Sequence, residues 1–358
     1  MKKTYLIIAA AALTALSACT KNEVRPMSSE PHEITFQTVV GGVKTKADPN
    51  QLEYDKNSTF GAFAFQHTGS FADVNDESGF TKYIDNAEIE YDATAKSWHA
   101  ENMYYWPKNG SYLTFYAYSP FSISKVSEGQ TSPVSCTGKD GIKITDWDVE
   151  KNQTVDIMVA DAEKDKTENG ANGGFTGVPT VFRHKLTQIA GFTVKTQKAY
   201  SGITITVKKI EITGVKHKGT YVQGTEVWTA DDANATYTWY DSSKGGSSKY
   251  SIQNNTNSLP VVPNALSQDA NSENCLYVLP QEFTEDAKLK ITYSRNYPIG
   301  DQTAEIKLSD LKDKKDEVVK WDMNKKITYT IIFTLDEILW APSVVDWSED
   351  GGSANINI

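Results

Sequence analysis

The stretch ITYTIIFTL (residues 327–335) alternates between apolar and hydroxyl-bearing side chains, which is the pattern of a half-buried β-strand. One face carries only apolar side chains: Ile327, Tyr329, Ile331, Phe333 and Leu335. The other face carries three threonines and one isoleucine: Thr328, Thr330, Thr334 and Ile332. Side chains repeat every two residues in a strand and about every 3.6 residues in a helix, so this pattern predicts a strand.

Similar runs recur along the chain and decide the fold class. They lie at residues 34–39, 60–65, 113–118, 203–212 and 288–293. Helix signals are scarce, and stretches rich in Gly, Asn and Ser separate the runs. Short strands at this spacing, without helical segments between them, predict an all-β protein built from antiparallel β-sandwiches rather than a parallel α/β sheet.

The length of 358 residues exceeds what one hydrophobic core usually serves, so we predict two tandem domains. The polar run AEKDKTENGANGGFTG (162–177) is predicted to be an interdomain linker or a long surface loop. We place the boundary near Gly177. The N-terminal β-sandwich domain then comprises residues 33–177, and the C-terminal domain comprises residues 178–358.

The N-terminus has the form of an export signal. A basic start, Met1-Lys2-Lys3, precedes an apolar stretch at residues 5–16 that is too short for a good membrane span. LSAC (16–19) resembles the bacterial lipobox, in which the cysteine becomes the lipid-bearing first residue. We therefore predict a lipoprotein signal peptide at 1–18, lipidation at Cys19 and an extended tether at 19–32; the alternative is an ordinary secretory signal.

Charge and cysteine content limit the possible functions. The chain has 46 Asp and Glu residues against 36 Lys and Arg, a formal net charge of −10, which argues against binding nucleic acid. Apart from Cys19, only Cys136 and Cys275 are present, and no CxxC motif occurs. We predict that these two thiols are free and buried, with a mutual disulfide as the alternative.

No motif for catalysis or metal binding is found. The five histidines show neither HExxH nor i, i+4 spacing, and no G-x-S-x-G elbow occurs. DWDVEKN (146–152) places acidic residues at alternate positions, as a calcium loop does, but Lys151 stands where the sharp turn needs glycine. We expect an exposed acidic turn there, and we predict a protein that is not an enzyme and has no metal or cofactor.

Aromatic residues are dense in MYYWP (103–107) and TYTWY (236–240). In a β-sandwich such side chains are more often core and strand-edge residues. Exposed rings such as Trp106 or Trp239 would instead stack on sugars. That alternative describes a monomeric surface lipoprotein that binds glycan through exposed aromatics.

Four stretches follow one another in the order seen in the fimbrillin family, also called Mfa-like, the type V pilin lipoproteins of Bacteroidota. They are YYWPKNGSYLTFYAYSPF (104–121), VDIMVADA (155–162), VPTVFRHKLTQIAGFTV (178–194) and WAPSVVDWSEDGG (340–352). The resemblance implies two transthyretin-like β-sandwiches in an outer membrane lipoprotein at the cell surface. It also implies a structural subunit of a fimbria that polymerises with other pilin subunits and supports adhesion to a host or bacterial surface glycan or protein.

The resemblance further implies assembly by strand exchange. A processing protease cuts after a basic residue behind the first strand, that strand leaves, and another subunit's strand fills the groove. Here the first strand presents Ile34, Phe36 and Thr38 on one face. Thr45-Lys46-Ala47 resembles the family's Thr-Arg-Ala site, but Lys46 replaces arginine, so cleavage between Lys46 and Ala47 requires a protease that accepts lysine. Lys44 is the alternative site.

The last residues of the sequence carry the predicted donor strand. Ala354, Ile356 and Ile358 alternate with asparagines behind a Gly351-Gly352 hinge. This alternation suits a strand donated to another subunit and equally a strand that completes the C-terminal sheet. Both alternatives remain open at this level.

Overall fold

The computed structural model describes residues 31–41, 53–168, 177–231, 233–245, 250–253, 256–266, 274–296, 299–313, 316–335 and 337–347. Within these ranges the chain forms 22 strands: β1 Phe36–Val40, β2 Phe60–His67, β3 Thr81–Asp92, β4 Ser97–Ala100, β5 Tyr112–Ser119, β6 Val134–Thr137, β7 Gly141–Asp148, β8 Met158–Ala160, β9 Glu163–Lys166, β10 Val178–His184, β11 Thr187–Thr196, β12 Thr204–Lys216, β13 Lys218–Val222, β14 Val227–Ala230, β15 Asn234–Asp241, β16 Ser251–Gln253, β17 Leu259–Val261, β18 Leu276–Val278, β19 Lys288–Arg295, β20 Gly300–Lys307, β21 Lys325–Phe333 and β22 Ile338–Asp346. Short 3-10 turns lie at Phe71–Asp73, Glu77–Gly79, Phe121–Ser124 and Leu308–Asp310.

The all-β prediction is confirmed. Each predicted strand starts within two residues of the first residue of an observed strand. The run at 327–335 corresponds to β21, where Ile327, Tyr329, Ile331 and Phe333 of the apolar face are buried as predicted, and Ile332 of the other face is buried too. Leu335 lies beyond the strand end and is exposed. Among the described residues, no helix is long and apolar enough to cross a lipid bilayer.

The strands form four sheets. The first has eight strands in the order β2-β3-β4-β1-β10-β8-β5-β9, and β2 also pairs with β5, so this sheet closes on itself. Two sheets have five strands each: β17-β11-β21-β22 with β18 also on β11, and β15-β12-β19-β20 with β16 also on β12. The fourth has the order β14-β13-β7-β6. Most pairings are antiparallel, but β1 pairs with β10 and β11 pairs with β21 in parallel.

The boundary predicted near Gly177 does not separate one set of sheets from another. Strand β10 follows Gly177 in sequence and yet lies in the eight-stranded sheet. The four-stranded sheet joins β7 to β13, which come from opposite sides of that position. The alternation of apolar and polar side chains locates the strands but does not identify the strands with which they pair. The division into domains at 33–177 and 178–358 therefore stays a prediction.

The predicted linker at 162–177 is wrong in its first part. Residues Glu163–Lys166 form β9, which pairs with β5, and Glu168 is buried. The polar composition of this segment conceals a strand at a sheet edge, where charged side chains are common. Cys136 and Cys275 are both free thiols; Cys275 is buried, whereas Cys136 is half-buried.

Two clusters of buried apolar side chains fill the molecule. The larger cluster draws on strands from β2 to β21. The smaller one gathers around β1 and includes large side chains from the strands of the eight-stranded sheet: Phe36, Phe60, Trp98, Phe115 and Phe182. The smaller cluster contains the candidate functional site.

Candidate functional site: the groove around the first strand

Strand β1 lies between two partners in the eight-stranded sheet. On one side it runs parallel to β10, in register from Phe36 opposite Val178 to Val40 opposite Phe182. On the other side it meets β4, with Phe36 opposite Trp98 in antiparallel pairing. The Gly177 φ of +94° lies in the left-handed region, and a Cβ there would lie 3.1 Å from the Phe36 carbonyl carbon, which suits glycine at the start of β10.

The inward face of β1 inserts into the smaller core. Ile34, Phe36 and Val40 are buried, whereas Thr38 is half-buried and faces Thr180 across the ladder. Ile34, Phe36 and Thr38 share this face by their spacing of two residues, and the first two of them are core residues. Thr38 is not a core residue, and Val40, which the prediction did not include, takes that role one step further along the same face.

Aromatic rings surround the Phe36 side chain. Its ring centroid lies 5.6 Å from that of Phe60 and 6.1 Å from that of Phe115, and both pairs are edge-to-face with interplanar angles of 88°. Phe60 in turn contacts Trp98 and Phe182 at centroid distances of 5.6 and 5.3 Å. Phe36 therefore fills a pocket with an aromatic wall.

Tyr54 closes this pocket. Its ring stacks on Phe182 with a centroid distance of 4.9 Å, and its hydroxyl lies 2.8 Å from the Ser119 hydroxyl. It also donates a hydrogen bond to the Thr59 carbonyl oxygen at 3.2 Å. Burial disfavours the ionised phenolate and raises the pKa of Tyr54 to about 12.

Backbone hydrogen bonds extend past the N-terminal end of β1. The Ile34 N–H donates to the Tyr104 carbonyl at 2.7 Å, and the Trp106 N–H donates to the His32 carbonyl at 2.9 Å. This segment therefore pairs with residues 104–106 before β1 begins. On the other side, the Val178 N–H donates to the Thr35 carbonyl at 2.7 Å, so backbone hydrogen bonds lie on both sides of residues 32–35.

Two histidine–carboxylate pairs hold the same end. His32 Nδ1 contacts a carboxylate oxygen of Glu168, which is buried. His99 Nδ1 lies 3.2 Å from Glu33 Oε1. In each pair one partner belongs to the segment before β1, whereas the other partner is Glu168, which follows β9, or His99, which lies in β4.

Arg183 holds the C-terminal end. Its Nη1 donates to the Gly41 carbonyl at 3.1 Å, while Nε and Nη2 donate to the two carboxylate oxygens of Asp161 at 2.8 and 2.7 Å. The hydrogen bonds with Asp161 raise the pKa of the Arg183 guanidinium further above its ordinary value, so this side chain is always charged. The Gly41 N–H donates to the Phe182 carbonyl at 3.0 Å.

The outward face of β1 lines a cleft of about 810 Å³. Gln37 and Val39 form part of one wall, beside Val181 and Arg183 of β10. At one end, the Lys164 ammonium lies 3.9 Å from the centroid of the Phe71 ring, and burial together with nearby Lys139 lowers the pKa of Lys164. One strand therefore contributes to the core on one side and to a polar cleft on the other.

Strand β22 ends the described part of the chain. It pairs with β21 along its whole length, and no other described strand pairs with it. Trp347 follows it, and its ring stacks on His184 at 3.8 Å and on Tyr277 at 5.2 Å between centroids. The segment 343–347 is thus held in its own sheet.

Several predicted site residues lie outside the described residues. These are the lipidation site Cys19, the processing positions Lys44, Lys46 and Ala47, and the donor positions Ala354, Ile356 and Ile358. The first-strand residues are the part of the predicted site that the structure describes.

Sequence reasoning missed the polar groups that hold β1. Asp161 and Arg183 lie within the stretches at 155–162 and 178–194 that carry the family resemblance, but no local pattern marks them, Glu168 or His99 as contacts of β1. One signal was available: Arg183 directly follows the apolar residues Val181 and Phe182 in the strand VPTVFRH (178–184), and a buried arginine in such a strand requires a carboxylate partner.

The predicted acidic turn is joined by a histidine. His217 Nδ1 lies 2.9 Å from Asp148 Oδ1 and 3.6 Å from Glu150 Oε2. These three side chains bring one ligand atom each within 4.8 Å of one another, so they could hold a metal ion. The Lys151 ammonium, 3.2 Å from Asp148 Oδ2, already supplies a positive charge there.

The tryptophans suggested for glycan binding are not exposed. Trp106 and Trp239 are each 2% exposed, and the Trp239 indole N–H donates to the Val261 carbonyl. They serve as core residues, which was the preferred interpretation, so the glycan alternative is wrong for these two rings. Dense aromatic runs in strands fill cores because large rings bury the most apolar area.

Known proteins resemble this chain in sequence and in fold. The sequence model of the family described as fimbrillin-like matches residues 45–347. The fimbrium subunit Fim1C of Phocaeicola vulgatus is 27% identical over an alignment of 394 residues that covers the full length of both chains. A solved structure of a fimbrial protein from Bacteroides vulgatus superposes with a TM-score of 0.57 at 21% identity, covering 88% of this chain and 99% of that one.

Proposed function

This chain belongs to the fimbrillin-like family, and we propose that it is a structural subunit of a cell-surface fimbria that assembles by strand exchange after proteolysis. Its role is mechanical rather than catalytic: it polymerises with other pilin subunits and supports adhesion. A lipid on Cys19 would anchor the protein in the outer membrane, with residues 19–32 as the tether.

The observation that carries the proposal is the position of β1. It is a strand of five residues, enclosed by β4 and β10, with Phe36 and Val40 in the core and Gly41 directly after its last residue. Removing it would leave the backbone groups of β10 and the residues 104–106 without partners, beside an empty aromatic pocket. A strand from another subunit would pair with these backbone groups and fill the pocket at the same time.

Processing is proposed between Lys46 and Ala47, with Lys44 as the alternative position. Both lie a few residues after Gly41, the last described residue before them. Cleavage there separates β1 from the rest of the chain while leaving the remaining strands covalently joined. Because lysine stands in place of the family's arginine, the protease must accept lysine.

The donor strand is proposed to be supplied from residues 354–358, through Ala354, Ile356 and Ile358. The segment follows Trp347, whose ring is fixed against His184 and Tyr277. Because Trp347 is fixed and a Gly-Gly pair follows it, the final residues could reach a neighbouring subunit while β22 stays in its sheet.

The test is N-terminal sequencing and intact mass measurement of the protein shaved from native cells. A mature chain that starts at Ala47 supports release of β1, and a start at Thr45 supports the alternative cut after Lys44. A Lys44→Ala, Lys46→Ala double variant should remain uncut and fail to form oligomer ladders. Recovery of polymers in which every chain begins at lipidated Cys19 would contradict strand exchange at this groove.

A further inference from the structure

We infer that the groove around β1 selects its occupant through an aromatic anchor at the place of Phe36, so that it fits a strand from a different chain better than the C-terminal residues of a second copy. This inference rests on the proposed strand exchange and names the partner of that groove.

The Phe36 pocket is shaped for an aromatic ring. Its two ring neighbours, Phe60 and Phe115, both meet Phe36 edge-to-face, a geometry in which the positive edge of one ring faces the negative face of another. An aliphatic side chain has no such complementary charge distribution. An aromatic residue in this pocket is therefore stabilised by ring contacts in addition to the burial of its apolar area.

The wall of the pocket is too well packed to shrink around a smaller side chain. Phe60 is fully buried and contacts the Trp98 and Phe182 rings, while Tyr54 stacks on Phe182. When a smaller side chain replaces Phe36, rings that are fixed by several neighbours move only partly into the space. The cavity that remains is destabilising.

The exposed and half-buried positions along β1 are less demanding than Phe36. Thr38 is half-buried opposite Thr180, and Gln37 is exposed to the cleft. Arg183 contacts a backbone carbonyl, which any strand offers. Ile34 and Val40 are also buried, but they are aliphatic, so selectivity for an aromatic ring is concentrated at Phe36.

The candidate donor residues of this chain lack that side chain. Ala354, Ile356 and Ile358 alternate, so in either strand direction the largest group that reaches the pocket is isoleucine. The nearest preceding aromatic residue, Trp347, is already stacked on His184 and Tyr277. The fitting partner is therefore a strand in which an aromatic residue alternates with residues that tolerate solvent.

A competition experiment tests this inference. The full-length chain is cut within residues 42–52 by a lysine-specific protease under native conditions, and intact mass identifies the singly cut form. Fluorescent peptides of residues 33–42 and 349–358 are then added, and dissociation constants are measured by anisotropy. In the first peptide, Phe36→Ile should weaken binding ~10-fold, because two edge-to-face contacts are lost, whereas Gln37→Ala serves as the matched control and should leave binding unchanged.

The C-terminal peptide should bind more weakly than the native first-strand peptide, and either Ile356→Phe or Ile358→Phe should strengthen it. Equal binding of the Phe36→Ile and Gln37→Ala peptides, or binding of the unmodified C-terminal peptide as tight as that of the native one, would overturn the aromatic anchor while leaving strand exchange intact. If the cut chain retains β1 and no peptide enters, strand exchange itself is overturned, and the anchor with it.

Discussion

The guanidinium of Arg183 donates a hydrogen bond to the carbonyl oxygen of Gly41, joining two residues that lie 142 positions apart. The same side chain forms two further hydrogen bonds with Asp161. One arginine therefore fastens the end of β1 to β10 and to the segment that follows β8. It does so at the point where the chain leaves the groove.

Replacing Arg183 by methionine should lower the free energy of unfolding by about 3 kcal/mol, because Asp161 loses its cation in a partly buried site. Urea unfolding followed by tryptophan fluorescence measures this change. Arg183→Lys keeps the charge but not the planar fork, so it should recover only part of the loss.

The matched control is Lys125→Met, which breaks the exposed pair with Glu88 and should cost at most about 1 kcal/mol. Arg183→Met and Lys125→Met variants of equal stability would show that Arg183 does not fasten β1.

Phe36→Ala should destabilise the protein by ~3–5 kcal/mol, because it empties a pocket whose walls cannot close. Gln37→Ala, at the next position of the same strand, should change stability by less than about 0.5 kcal/mol, since its side chain is exposed. Thermal or urea unfolding of both variants measures the difference. Similar losses for the two would mean that β1 is held by its backbone alone.

The sequence predicted the strands better than their partners. Alternation located β1 and β21 to within two residues because the period depends only on local geometry. It could not show that β1 pairs in parallel with β10, a strand more than a hundred residues away, nor that Val40 is buried on the inward face while Thr38 is only half-buried.

The polar contacts of the site were less accessible still. His99 and Glu33 meet only because β4 and the segment before β1 are neighbours in the eight-stranded sheet. Likewise, His217 reaches Asp148 through the pairing of β13 with β7. Such contacts depend on long-range strand pairing, which single-sequence periodicity does not encode.

Tyr54 should make the protein sensitive to alkali. Its pKa is raised from 10.0 to about 12, so the folded state keeps the phenol proton in a range where the unfolded state releases it. The stability from Tyr54 is full below pH 10 and is lost as the pH rises to about 12. Urea unfolding at pH 8, 10 and 11 should show Tyr54→Phe less stable than wild type at pH 8, with the gap narrowing at the higher values. A constant gap would contradict the shift.

Asp148 should give the opposite, acid-side dependence. Burial raises its pKa, but hydrogen bonds from His217 and Lys151 outweigh that effect and hold the pKa below the ordinary value of 3.8. A lowered pKa in the folded state stabilises the protein above the unfolded value, and that stability is lost as the pH falls through the folded value. Asp148→Asn should therefore cost about 1.5–3 kcal/mol at pH 6 through two weakened charge-assisted hydrogen bonds, and clearly less at pH 3.

Lys151→Ala provides the comparison for this prediction, because it removes one of the two donors and leaves the β7–β13 contact through His217 in place. Its cost should be smaller than that of Asp148→Asn at pH 6 and should fall in the same direction on acidification. Because His217 lies directly before β13 and Asp148 is the last residue of β7, loss of this pair should also increase amide hydrogen exchange in β13. A pH-independent cost for Asp148→Asn would show that the carboxylate acts only through packing.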